Sequence, residues 1–224
     1  MKKRGNSRIY KDFIKFALRF LTFLYLCIIL TKLKTSVKPS HSLKTKGEKN
    51  MKSSKVLFIT QAGVIAAIYV VLTLLAASLN LANGAIQVRF SEALTILPFL
   101  TPAAIPGVTL GCLISNIITG CHILDIVFGT LATLIGALGS YYIGRLFKKS
   151  GNNLLRLAAP LPPIISNTLI IPLILTFAYK FPDGIPFLML TVGIGEVLSC
   201  MVLGLILLSP LLVLKDRLFN AKKA

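Results

Sequence analysis

Three ionisable residues lie inside or beside long apolar runs. Glu196 belongs to the run TVGIGEVLSC at 191–200, and Arg89 and Glu92 lie three residues apart in QVRFSE at 87–92. Insertion of a charged group at membrane depth costs about 2.5–3.5 kcal/mol. Such a group is therefore expected either to pair with another polar group or to take part in function. Because an ionised carboxylate accepts hydrogen bonds and can take two at once, these residues predict recognition of a polar solute.

Glu196 is the first candidate for a ligand anchor. It lies about three turns into the last apolar run, and helical spacing places Gly193, Ser199 and Cys200 on its face. A structural hydrogen bond to another helix is the alternative. No Lys or Arg within the last apolar run can neutralise Glu196 locally, which favours the anchor.

The spacing of Arg89 and Glu92 permits an ion pair on one helix face. Such a pair either neutralises itself or lines a pocket together with Gln87. Asn116 and Asn167 are amides in apolar helices, for which hydrogen bonding between helices is the default explanation; both are nevertheless candidate site residues.

The remaining polar residues of the turns have simpler interpretations. Asp125 is expected to cap the N-terminus of the fourth helix, His122 to be solvated, and Asp183 to serve the turn PDG at 182–184.

The amino-acid composition of the chain is typical of a membrane protein. Its mean hydropathy is +0.81, and 55% of its 224 residues are hydrophobic against 14% charged, whereas soluble domains average about 25% charged residues. A bilayer-spanning helix needs roughly 20 apolar residues. The runs predict an all-α integral membrane bundle of six transmembrane helices, at about 56–78, 85–100, 105–119, 124–147, 157–179 and 187–214.

The chain has a net charge of +18, and the positions of its basic residues are typical of a membrane protein. Residues 1–50 hold 13 Lys/Arg and 2 acids, and in 51–224 the basic residues fall at segment ends. Positive charge marks the cytoplasmic side, so the start at Lys52 and Lys55, the loop 145–156 and the tail are all expected inside. Both ends are then cytoplasmic, the polar turns 79–90, 120–125 and 180–186 lie outside, and nucleic-acid binding is disfavoured.

Residues 1–50 are expected to be a basic extension outside the fold. Met51, followed by Lys52, Lys55 and an apolar run, is the expected true start. A genuine interfacial or spanning anchor at 20–31 is the alternative.

Small residues at four-residue spacing indicate close helix contacts. In the fourth helix they indicate contact inside the bundle, and in the first helix either such contact or contact with a partner protein. The two sets are Ala132, Gly136, Ser140 and Gly144, and Ala62 and Ala66.

The sequence lacks the characteristic motifs of several enzyme classes. The sequence has no P-loop, no H-E-x-x-H and no G-x-S-x-G. Its four cysteines form no C-x-x-C pair. We therefore expect no enzymatic activity, no cofactor and no metal.

The runs 87–107, 111–116, 125–133, 160–167 and 191–196 resemble the queuosine-precursor transporter (QueT) family. Its members are substrate-binding S components of energy-coupling factor (ECF) transporters, and the resemblance covers about 53–214. It implies six membrane helices with a solute site near the outer face, in the bacterial cell membrane. It also implies partners, namely a transmembrane coupling protein, met through Ala62 and Ala66, and two ATPase subunits.

The implied solute is a 7-deazaguanine precursor of queuosine. Its guanine-like edge presents two adjacent donors that Glu196 or Glu92 can accept, and Asn116 or Gln87 can serve the carbonyl and ring nitrogens. Three alternatives stay open: an S component for another vitamin or base, a membrane enzyme using Glu196 with Glu92, and a stand-alone carrier using Glu196.

Overall fold

The described part of the chain is entirely helical. A computed structural model describes residues 46–79 and 89–218, with the side chains of 55–79 and 89–213. Helix α1 is Lys46–Ser78, α2 is Phe90–Phe99, α3 is Ala104–Ile118, α4 is Asp125–Ser150 and α5 is Leu154–Phe177. Helix α6 consists of Ile185–Glu196, Val197–Leu203 and Gly204–Leu218 in succession.

Four of these helices are long and apolar enough to cross a membrane. The spanning portions are Lys55–Ser78, Asp125–Ser150, Leu154–Phe177 and Ile185–Val213. Large apolar side chains such as Leu131, Leu169 and Ile206 remain exposed on them, as expected of surfaces that face lipid. The predicted all-α membrane bundle is thereby confirmed. The predicted extension covers residues 1–50, of which 1–45 lie outside the described ranges and 46–50 belong to α1. Gln87 also lies outside the described ranges, and the hypothesis that Met51 is the start stays a prediction.

Helix α2 differs from the long span predicted for 85–100. It is a ten-residue 3₁₀-helix in which every residue is buried. It lies against α1, α3, α4 and α6, so its described residues form an interior element instead of a lipid-facing span. Pro98 has no backbone N–H to donate.

The small residues of α4 create close contacts inside the bundle, as predicted. A Cβ added at Gly144 would clash with the carbonyl oxygen of Phe99, and one added at Gly136 would lie 2.6 Å from Cα of Pro163. The Ser140 hydroxyl donates to the Ala159 carbonyl at 2.8 Å. These positions fix α4 against α2 and α5.

Glycines of α3 allow α1 to approach equally closely. A Cβ at Gly107 would lie 3.0 Å from the carbonyl oxygen of Ala62, and one at Gly111 would lie 2.6 Å from Cβ of Tyr69. Ala62 and Ala66 are each only 8% exposed. The face of α1 that carries them therefore contacts α3 within the chain.

Candidate functional site

The two predicted glutamates meet inside the bundle. Ligand atoms of Glu92, Glu196 and Cys200 all lie within 4.8 Å of one another. Glu92 is 1% exposed and Glu196 is 7% exposed. We call Glu92, Glu196, Cys200 and the two residues that hold Glu92, Tyr69 and Asn167, the carboxylate cluster.

Glu92 is held by donors from two other helices. The Tyr69 hydroxyl of α1 donates a hydrogen bond to Oε1 of Glu92, and Nδ2 of Asn167 from α5 donates to Oε2 at 3.4 Å. Both carboxylate oxygens are thus engaged within the chain. Hydrogen bonds to a charged group contribute about 1.5–3 kcal/mol each, so Glu92 has a fixed orientation.

Glu196 is less constrained by its neighbours. The Cys200 thiol donates to it, with the sulfur 3.2 Å from Oε2, and the Asn167 side chain also interacts with it. That thiol also lies 3.5 Å from the Glu92 backbone carbonyl. A thiol is a weak donor, so Glu196 keeps much of its capacity to accept hydrogen bonds from a bound molecule.

The spacing of Arg89 and Glu92 permits an ion pair, and the two residues interact electrostatically, but the salt bridge of Arg89 is made with a different acid. Nη2 of Arg89 instead lies 4.0 Å from Oδ2 of Asp125. Glu92 faces the helices that supply Tyr69 and Asn167, whereas Arg89 lies at the start of α2 and its side chain is 20% exposed. The i,i+3 spacing permits a pair but does not select it when α4 offers a closer acid.

Asp125 also departs from its predicted role as a helix cap. It is buried, and its Oδ2 accepts a hydrogen bond from the Tyr179 hydroxyl at 3.3 Å. Its Oδ1 has no hydrogen-bond partner among the described residues. A Cβ at Gly129 would lie 2.9 Å from that oxygen, so any larger residue there would require the carboxylate to move. We call Arg89, Asp125, Asn116 and Tyr179 the ion-pair cluster.

Tyr179 links the ion-pair cluster to the turn before α4. Its oxygen accepts a hydrogen bond from the His122 backbone N–H at 3.0 Å, and the His122 ring packs edge-on against it. Partial burial, aided by nearby Asp125, raises the pKa of Tyr179 to about 12. The hydroxyl therefore stays protonated near neutral pH and donates to Asp125.

The predicted amides separate into two places. Asn167 joins the carboxylate cluster, while Nδ2 of Asn116 lies 3.4 Å from the Asp125 backbone carbonyl in the ion-pair cluster. Both are buried. The structure thus brings Glu92, Glu196 and Asn167 together, and it brings Arg89 and Asn116 to Asp125.

Two residues of these clusters were missed at the sequence level, Tyr69 and Tyr179. Tyr69 could have been found, because a phenol hydroxyl in an apolar membrane helix normally has a hydrogen-bond partner. Tyr179 offered no such signal, since it ends a predicted span where tyrosines are common.

Both clusters lie beside interruptions of regular helix. Asp125–Gly129 at the start of α4 and Val197–Leu203 directly after Glu196 are π-helical. Short π-helical segments frequently occur at functional sites, because they redirect side chains that a regular helix would place elsewhere. Cys200 reaches Glu196 from within the second of these segments.

The carboxylate cluster has the ligand types of a cation site. Two carboxylates and a thiol are acceptors and metal ligands, and Arg89 interacts electrostatically with both carboxylates. Arg89 is paired with Asp125. The cluster can thus accept hydrogen bonds from a polar solute and offset a positive charge.

Comparison with known proteins agrees with this arrangement. The QueT transporter family matches residues 59–212. The "Queuosine precursor transporter QueT" of Lactococcus lactis subsp. cremoris (strain MG1363) is 38% identical over 85 residues, which are 38% of this chain and 50% of that protein. The alignment thus spans only half the length of this curated relative. No solved structure matches the chain.

The match covers more than half of the chain, including every described residue of both clusters. The four long apolar helices agree with a multi-pass protein of the cell membrane. The chain belongs to the QueT transporter family.

Proposed function

We propose that the chain is the substrate-binding S component of an ECF-type importer and takes up a 7-deazaguanine precursor of queuosine. The carboxylate cluster carries this proposal, because it places two buried acids and an amide inside a membrane helix bundle. The curated relative is named a queuosine precursor transporter, which supports the same solute class.

The chemistry of the solute suits the cluster. A guanine-like edge presents an N1–H and an exocyclic amine side by side, and a carboxylate can accept both. Glu196 is the better of the two acceptors, since Glu92 already accepts from Tyr69 and Asn167. Asn116 and Gln87 remain proposed partners for the carbonyl and ring nitrogens of the solute.

The proposed topology has six membrane helices with both ends in the cytoplasm. In addition to the four long helices, α3 has 15 residues, about 22 Å at 1.5 Å per residue, and the segment that contains α2 would be the sixth. The basic residues Lys148 and Lys149 end α4, where the positive-inside rule expects the cytoplasm.

The proposed partners are a transmembrane coupling protein and two ATPase subunits, and the chain itself is no enzyme. The family resemblance implies Ala62 and Ala66 as the contact with the coupling protein. Both lie against α3, whereas Gly63 and Ala67 on the same helix are exposed. A partner that docks on α1 without displacing α3 meets Gly63 and Ala67 first.

A binding panel tests the function. The purified full chain in lipid nanodiscs would be titrated calorimetrically with 7-deazaguanine precursors, guanine, riboflavin, thiamine and biotin. We expect a deazaguanine to bind selectively, and Glu196→Gln to weaken it while Asp183→Asn, at an exposed turn, has no effect. Selective binding of another panel member would overturn the solute but keep the S component.

A transport assay tests the need for partners. We expect the chain alone in liposomes to bind the solute without accumulating it, and to accumulate it only when coupling protein, ATPases and ATP are present. Accumulation by the chain alone would favour the stand-alone carrier and overturn the S-component proposal.

A further inference from the structure

The end of α4 and the beginning of α5 form a strongly basic surface, which the proposed solute site does not use. Residues 145–156 contain four basic residues, and the sequence has no acidic residue anywhere from 126 to 182. Three of the four side chains are exposed and the last is half-buried. We call these residues the basic surface: Arg145, Lys148, Lys149 and Arg156.

The turn between the two helices has a defined shape. Gly151 ends α4 with a φ of 66°, a left-handed conformation that favours glycine. The side chain of Asn152 accepts a hydrogen bond from the Leu154 backbone N–H at 3.0 Å. Deeper in the bundle, the hydroxyl of Ser140 in α4 donates to the Ala159 carbonyl at 2.8 Å. The basic residues of both helices are therefore held at the same end of the α4–α5 pair.

An exposed apolar stripe runs along α5 and reaches the basic surface. Its members are spaced three or four residues apart, which places them on one face of the helix. Each is between 43% and 68% exposed, and an apolar patch of this extent in a membrane protein contacts the acyl chains of lipids. The stripe consists of Leu154, Leu157, Leu161, Ile165 and Leu169. Because the stripe begins at Leu154, lipid extends up to the basic residues.

The lengths of the two helices place the basic surface at the level of the lipid headgroups. The spans Asp125–Ser150 and Leu154–Phe177 have 26 and 24 residues, about 39 and 36 Å at 1.5 Å per residue. The hydrocarbon core of a bilayer is about 30 Å thick, so the ends of both helices extend into the headgroup region. Long basic side chains at such ends place their alkyl stems on apolar surface and their charges among the headgroups.

From this charge and position we infer that the basic surface binds the phosphate groups of anionic lipids, whose acyl chains lie against Leu154 and Leu157. Guanidinium groups form paired hydrogen bonds with phosphate oxygens, and lysine ammonium groups add positive charge. The expected cytoplasmic location of the loop fits this partner, since anionic lipids give the cytoplasmic leaflet a negative surface potential. The inferred property is independent of the solute and of the carboxylate cluster.

An acidic surface of another protein is the alternative occupant. Lipid is favoured because a lipid molecule supplies an apolar part and an anionic part at adjacent depths, as the apolar stripe and the basic surface require. The experiment must therefore report the lipid that contacts Leu154 and Leu157 directly.

The sequence contains no tryptophan, which allows a site-specific measurement. The full chain with Leu157→Trp, at a position 54% exposed, would be reconstituted in phosphatidylcholine vesicles. An equal, small fraction of brominated phosphatidylglycerol or brominated phosphatidylcholine would then quench its fluorescence. We expect the local share of the anionic lipid to be at least about threefold higher, because each basic residue near a membrane surface attracts anionic lipid.

A reporter beyond the other end of α5 serves as the control. Phe187→Trp replaces a residue that is 49% exposed at the beginning of α6, and the turn 180–186 before it contains one basic and one acidic residue. We expect the two lipids to quench this reporter equally. Leu154→Trp, at a position 68% exposed, repeats the measurement beside the basic surface, so that the result does not depend on one substitution.

Removal of charge tests the origin of the preference. In the Leu157→Trp chain, neutralisation of three residues of the basic surface should lower the ratio of the two local shares toward unity, whereas Lys180→Gln should leave it unchanged. The ratio should also fall at about 1 M salt, where the Debye length is about 3 Å. The triple variant combines Lys148→Gln, Lys149→Gln and Arg156→Gln.

Three outcomes would overturn the inference. Equal quenching by the two lipids at both Leu154→Trp and Leu157→Trp would show that the surface has no preference for anionic lipid. A preference that persists in the triple variant would arise from another part of the chain. Equal quenching, combined with loss of binding to the coupling protein or the ATPase subunits in the triple variant, would assign the basic surface to a protein contact.

Discussion

The ion-pair cluster and the carboxylate cluster are built from similar residues, yet their charges are balanced differently. In the first, Arg89 lies 4.0 Å from Asp125, so one positive group faces one negative group. In the second, Glu92 and Glu196 share a site with neutral neighbours. In the first cluster the opposite charges are direct neighbours, so we expect it to contribute mainly to stability. In the second cluster two acids lie together, and we expect it to contribute mainly to binding.

This comparison separates binding effects from stability effects. Changes in the carboxylate cluster should alter solute affinity more than unfolding, and changes in the ion-pair cluster should do the reverse. Five substitutions test the distinction, beginning with the largest expected effect.

Glu92→Gln should weaken binding of a deazaguanine by about 100-fold. The amide keeps the shape of the side chain and one acceptor for Tyr69, but it removes the negative charge of the acceptor, and hydrogen bonds to charged groups contribute about 1.5–3 kcal/mol. Calorimetric titration and thermal unfolding of the same sample measure both quantities. Unchanged affinity would assign Glu92 a purely structural role.

Arg89→Gln and Asp125→Asn should each lower the free energy of unfolding by about 1–3 kcal/mol, because each leaves one charge without its partner. The partial exposure of Arg89 places its variant at the lower end. The double variant should lose less than the sum of the two. Strict additivity in a thermal-unfolding cycle would show that the pair does not interact.

Gly129→Ala should destabilise the fold by about 1–2 kcal/mol. Its new methyl would lie 2.9 Å from Oδ1 of Asp125 and 3.4 Å from Nδ2 of Asn116, which requires both to move. Gly63→Ala is the matched control, because nothing lies within 4 Å of its added Cβ, and alanine favours a helix over glycine by about 1 kcal/mol. If both variants melt alike, the approach to Asp125 is not tight.

Tyr179→Phe should have the smallest effect, below about 1 kcal/mol of stability and about threefold in affinity, because Tyr179 is partly exposed and its hydroxyl makes a neutral donor contact. Its pKa is raised from 10 to about 12. The stability linked to the protonated hydroxyl is therefore present below pH 10 and is lost as the pH rises from 10 toward 12. Unfolding measured across this range should show that loss in the unmodified chain and not in the variant.

The sequence predicted the long elements better than the interior ones. Length and hydropathy depend on local composition, so four spans were found within a few residues of α1, α4, α5 and α6. The shape of α2 depends on how the other helices surround it. A run of apolar residues cannot distinguish a lipid-facing span from a short buried 3₁₀-helix.

The site was predictable as a set of residues but not as a set of pairs. An acidic residue in an apolar run is costly to insert into a membrane and is therefore rare, which is why Glu92 and Glu196 were identified. Their partners are set by helix packing, and Glu92 lies 75 residues before Asn167 along the chain. Spacing rules describe neighbours on one helix and contain no information on which helix supplies Asp125 to Arg89.

The π-helical segment of α6 has a consequence for its two ends. One additional residue in a turn shifts the angular phase of all later residues by about 100°. The first part of α6 can therefore direct Glu196 toward the carboxylate cluster, while the last part packs Gly204 against α2. A Cβ added at Gly204 would lie 3.6 Å from the carbonyl oxygen of Ala93. A single-codon deletion between residues 197 and 203 would remove this phase shift. After the deletion, α6 could no longer direct Glu196 toward the cluster and pack Gly204 against α2 at the same time, although both residues would be unchanged.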